Sequence, residues 1–149
     1  MKTTKNNFLL IGLFAVGSLF LNSCNQDDDD DGDLTTNIVG HYTNATTSTD
    51  IVVNKINEST VSIALTTGTG SGQYNVAFSS VTMNSETAFT LNSVTQDGAA
   101  CIGEETFTGT GTHSENNISL FLTVVGSNPD GPTPYDCDGT NTRNVSASK

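Results

Sequence analysis

From residue 37 onward the apolar residues recur at every second position, and this spacing constrains the chain to β-strands. Val61, Ile63 and Leu65 share one face of residues 61–66. Tyr74, Val76 and Phe78 share one face of residues 73–78, and Phe89-Thr90-Leu91 and Glu105-Thr106-Phe107-Thr108 continue the pattern. Ile118, Leu120, Leu122 and Val124 form a further such face. Phe121 and Val125 lie opposite that face, which predicts a strand covered on both sides. The residues between the apolar positions are largely Thr, Ser, Asn and Gly, which are poor helix formers, so no helix is expected in this region.

Turn chemistry divides these runs. Asn57-Glu58-Ser59 and Glu115-Asn116-Asn117 read as hairpin tips, and Gln96-Asp97-Gly98 opens a loop because Asp-Gly accepts positive φ. Gly68-Thr69-Gly70-Ser71-Gly72 links two strands; it lacks the Lys-Ser/Thr and the following helix of a phosphate loop. The longest irregular stretch is residues 127–134. Strands are expected near residues 37–43, 50–56, 60–67, 72–80, 86–95, 103–112, 117–125 and 137–147. Short links favour antiparallel neighbours. The expected fold is all-β: an antiparallel meander of about eight strands, forming a small barrel or a flattened sandwich that hides its edges.

The N-terminal region has a different character. Lys2 and Lys5 precede an apolar run of about 14 residues, which as a helix would span about 21 Å, too short for the roughly 30 Å bilayer core. A basic start followed by a short apolar run is the pattern of a secretion signal. Leu21-Asn22-Ser23-Cys24 resembles the lipobox of bacterial lipoproteins. Asp27, Asp28, Asp29, Asp30 and Asp31, just after the cysteine, resemble the acidic export signal of Bacteroidota surface lipoproteins. The resemblance implies cleavage before Cys24, several acyl chains on that cysteine, and an outer-membrane protein exposed at the cell surface. Each buried methylene contributes about 0.8 kcal/mol, so two or more chains suffice for stable anchoring. The expected organisation is a signal peptide over 1–23, a lipidated cysteine and disordered acidic tether over 24–36, and one β domain over 37–149.

On this reading the mature chain keeps Lys55, Arg143 and Lys149 as its basic residues against 16 acids. Nucleic acid is therefore not an expected partner, since phosphate binding needs clustered Lys and Arg. Cys101 and Cys137 remain after Cys24 is assigned to the anchor. An even pair in an exported chain predicts a disulfide, and without C-x-x-C spacing zinc is not expected.

Ile38-Val39-Gly40-His41-Tyr42 at the first strand resembles the Gly-x-aromatic start of lipocalin-like (calycin) barrels. In that family an arginine of the last strand lies over the aromatic ring. Arg143, the only arginine, stands in the last expected strand. The resemblance implies that Tyr42 and Arg143 meet where the barrel closes. The interior would then be lined by Val61, Ile63, Leu65, Val76, Phe78, Phe89, Leu91, Phe107, Leu120 and Leu122.

No catalytic constellation is evident. His41 should point away from the face of Gly40 and Tyr42, and His113 has no local nucleophile or orienting acid. Adjacent Glu104 and Glu105 should face opposite sides of a strand. Asp136-Cys137-Asp138-Gly139 resembles a fragment of a calcium loop, but Ala147 stands where an EF-hand needs glutamate. The expected function is non-enzymatic, with no cofactor and no metal. It is a surface-anchored binding domain, held to the membrane through the lipid on Cys24, for a small apolar ligand. The alternative is an adhesion or structural module that binds glycan or protein partners.

Overall fold

The computed structural model describes residues 32–69, 73–98, 101–128, 137 and 139–149. The Cys24 and Asp27–Asp31 assignments lie outside the described residues, as do Asp130, Asp136 and Asp138. Eight strands follow one another: β1 (Gly40–Asn44), β2 (Thr49–Asn57), β3 (Thr60–Thr67), β4 (Tyr74–Ser85), β5 (Ala88–Asp97), β6 (Glu104–Ser114), β7 (Asn117–Ser127) and β8 (Gly139–Ser148). Each pairs antiparallel with the next, and β8 returns to β1, so the meander closes into a small barrel. No helix occurs among the described residues. The hairpins β2–β3, β4–β5 and β6–β7 turn at one end, termed lower, and the other connections lie at the upper end.

The alternation places the core. All ten residues expected to line the interior are buried, and Tyr42, Ile51, Val53, Val81, Met83 and Ile118 join them. Burying each large aliphatic or aromatic side chain contributes about 1.5–3 kcal/mol. Glu104 is exposed and Glu105 buried, as their adjacency on β6 requires. Phe121 and Val125 are 50% and 44% exposed. The expectation that β7 is covered on both sides is therefore corrected: one sheet layer wraps the core, and among the described residues nothing covers its outer face at these two positions.

Three strands, β2, β4 and β5, carry extra residues. Ile63↔Phe78 and Val61↔Val81 are register partners, so β4 advances three residues while β3 advances two. Leu91↔Gly109 and Val94↔Phe107 show the same offset on β5 against β6. These bulges keep Phe78 and Val81 on the inner side at an odd spacing. They also explain why β4 runs to Ser85 when strict alternation ends near residue 80.

The lower end is closed by the segment before β1. Residues 33–36, expected in the tether, belong to the folded unit, which corrects the boundary at 37. Thr35 is fully buried, Leu34 N donates to Glu58 O at 2.9 Å, and Ile38 is fully buried in the core. Lys55 forms an ion pair with Asp33. Hydrogen bonds from the Lys55 ammonium, and from the Thr35 hydroxyl and amide, hold the Asp33 carboxyl well below the usual carboxylate range.

Cys101 and Cys137 are joined by a disulfide, with Cα atoms 4.9 Å apart and 36 residues of separation. In the chain-entropy model such a loop corresponds to about 4 kcal/mol. Cys137 N also donates to Ile102 O at 3.1 Å, so the bridge pins the approach to β8 against the approach to β6.

Candidate functional site

The first and last strands are neighbours, but the aromatic–cation pair expected between them is built differently. The cation over Tyr42 is Lys149, with Nζ 5.0 Å from the ring centroid. Arg143 lies over Tyr74 instead, 4.3 Å from its centroid. The Tyr42–Arg143 pairing is corrected accordingly. The reason is length. β1 ends at Asn44, and its register with β8 is the single pair Thr43↔Ser148. Arg143 sits five residues earlier on β8, above the point where β1 has stopped, so its side chain faces the barrel mouth.

This vacancy beside β8 forms a cleft of about 440 Å³ at the upper end. Asn44 and Thr47 from the β1–β2 connection, Thr49 of β2, Thr67 of β3, Tyr74 of β4 and Arg143 of β8 contribute to its walls. Tyr74 and Arg143 come from strands four steps apart around the ring. Arg143 donates a guanidinium hydrogen bond to the Tyr74 hydroxyl as well as stacking on the ring. The Tyr74 ring packs edge-on against buried Phe107, with centroids 6.0 Å apart. A continuous stack thus runs from solvent through Arg143 and Tyr74 into the core.

Beside Tyr74 runs a chain of hydroxyls, since Thr67 on β3 is its register partner. Thr49 Oγ1 lies 2.8 Å from Thr47 Oγ1 and 2.8 Å from Thr67 Oγ1. Thr49 is buried, while Thr47 and Thr67 are more open. Three hydroxyls hold three protons, and two bonds among them use two. The chain therefore presents at least one unused O–H donor and several acceptor lone pairs to the cleft. Asn44 fixes the rim: its Oδ1 accepts from Thr46 N at 3.1 Å, and its Nδ2 donates to Ser146 O at 3.0 Å.

The histidines take separate positions. His41 is exposed, as its alternation requires, with Nε2 2.9 Å from Asp50 Oδ1. His113 is buried at the lower end, with Nε2 3.0 Å from Glu115 O and its ring edge-on to Tyr42 at 6.3 Å. Tyr42 donates to Ile38 O at 2.6 Å, and burial pushes its phenol up to about 12. Among the described residues no group of three or more His, Cys, Asp or Glu is gathered as a metal site.

The roles of Tyr74, Thr47, Thr49 and Thr67 were missed in the sequence. A signal for the threonines was present: with the β2–β3 tip near residue 58, Thr49 and Thr67 fall opposite one another on the inward face, where Thr pairs hydrogen-bond across strands. No family model matches the chain, and neither the curated proteins nor the solved structures contain a match.

Proposed function

We propose that this chain is a lipid-anchored, surface-exposed outer-membrane protein whose barrel is a non-enzymatic module binding hydroxyl-rich ligands, that is, glycans. The anchor and address rest on the sequence: the short apolar run, Leu21-Asn22-Ser23-Cys24 and the aspartates that follow. The observation that supports the ligand class is the cleft at the barrel mouth. It sets an aromatic ring, a guanidinium and a three-hydroxyl chain around one solvent-open hollow. Sugars present dense hydroxyls, and the threonine chain and the guanidinium of this lining are complementary to them.

The small-apolar-ligand reading draws on the eight-stranded meander itself, since barrels of this size either fill with side chains or hold one ligand. Here Phe78, Phe89 and Phe107 are each 1% exposed and packed in one cluster with the aliphatic core. An apolar guest would have to displace them and part Arg143 from Tyr74. A glycan bound through the hydroxyl chain and the guanidinium needs neither movement.

The test is a glycan array probed with the purified full chain in detergent micelles, beside Tyr74→Ala. Binding that Tyr74→Ala removes supports the reading. A chain that binds no glycan, yet quenches or enhances a fluorescent fatty acid, would overturn it in favour of the apolar carrier. For the anchor, mass spectrometry of the mature N-terminus should find acylated Cys24. An unmodified chain, or Cys24→Ala still sedimenting with membranes, would overturn that part.

A further inference from the structure

We infer that the mouth cleft selects carboxylated sugars, of the uronic-acid type, over neutral ones; this rests on the glycan-binding reading above. The chain carries 16 acids against five basic residues, so its general field disfavours anions. The cleft departs from that background. Among the described residues that line it none is Asp or Glu, and the one ionised group among them is Arg143, the sole arginine of the sequence.

The guanidinium is also held in a defined orientation. It is stacked on Tyr74 and tied to the phenol oxygen, with the ring in turn fixed against Phe107. Guanidinium has five N–H donors, and one contact with the Tyr74 hydroxyl leaves the others available. A planar fork whose stem and face are fixed matches the two oxygens of a carboxylate, and a point-charge ammonium would not match them. The Tyr74 oxygen accepts from Arg143, so its own proton is free to donate toward the same anion. Beside Tyr74, the Thr47–Thr49–Thr67 chain offers donors and acceptors to ring hydroxyls. A carboxylate site with hydroxyl partners beside it describes a hexuronate more closely than a free organic acid or a neutral hexose.

The experiment is a titration of the ¹⁵N-labelled full chain in micelles. The probes are trigalacturonic acid and its carboxyl-reduced neutral counterpart, at low and at high salt. The expected result is about tenfold tighter binding of the acidic trimer at low salt, a preference that narrows as salt rises, with shifts centred on Arg143 Nε and Thr49. Arg143→Gln should remove the preference and leave weak binding of both trimers. Arg143→Lys should recover less than half of the preference in free energy. Should Arg143→Gln unfold the chain, the Arg143 Nε shift in the parent protein decides alone. Equal binding of the two trimers, or full retention of the preference in Arg143→Lys, overturns the inference and leaves the glycan reading standing. If neither trimer nor any array glycan binds, the glycan reading itself falls.

Discussion

Lys149, just past β8, lies over the ring of Tyr42 on β1 and donates from Nζ to Asn37 O at 3.0 Å. This contact spans the one seam of the barrel that a hairpin does not make. The backbone there offers the single register pair Thr43↔Ser148, supported by the Asn44–Ser146 hydrogen bond. Side chains therefore carry a larger share of closure at this seam than at any hairpin. Lys149→Met should lower stability by about 0.5–2 kcal/mol. Urea unfolding of parent and variant checks it; identical midpoints would mean that the ammonium contributes nothing to closure.

Tyr42 gives the barrel an alkaline limit. Its folded-state pKa is raised to about 12 by burial, while the unfolded chain titrates near 10. Below pH 10 both states hold the proton, and stability is unaffected by it. Between about pH 10 and 12 the unfolded chain ionises and the folded one does not, so stability falls as pH rises. Tyr42→Phe should be less stable at pH 8 by about 1 kcal/mol, through the lost bond to Ile38 O. It should also lack most of the alkaline decline. Thermal melts from pH 8 to 12 decide this, and parallel curves for the two proteins would rule it out.

Asp33 sets a matching acid dependence. Its folded pKa is depressed by Lys55 first and by Thr35 second. The stability it contributes is present above the unfolded carboxylate value near 4 and is lost as pH falls below it. Asp33→Asn should melt at a lower temperature than the parent at pH 6, with the two curves converging toward pH 2. A gap between them that does not narrow on acidification would show that Asp33 acts through packing alone.

Phe89 packs over Gly111, its partner across the β5–β6 ladder, and a Cβ at Gly111 would collide with the ring. Gly111→Ala should therefore cost about 1–3 kcal/mol by overpacking. Phe89→Leu in the same chain should return part of that loss, because the atoms that collide are gone. A double-mutant cycle in urea tests the coupling. Additive losses would show that the strand relieves the clash by shifting elsewhere.

Much of the fold was legible in the order of residues. The period of two assigned strands, the turn residues separated them, and the ten interior positions follow from alternation once the strands are known. Cysteine parity paired Cys101 with Cys137. These are local or combinatorial properties, so they survive without coordinates. The candidate site was not legible in the same way. Where β1 stops relative to β8 depends on the stagger accumulated around eight strands, and the bulges on β4 and β5 alter it by adding residues that a strict alternation does not show. That stagger decides that Arg143 meets Tyr74 and that Lys149 takes the ring of Tyr42. It likewise decides that Phe121, apolar in sequence, stays half exposed, since no second layer among the described residues reaches β7 there. The sequence by itself determined which side chains turn inward, because that depends only on the pleat. Which of them meet across the mouth was decided by tertiary structure, because closing the ring converts small register offsets into contacts between distant strands.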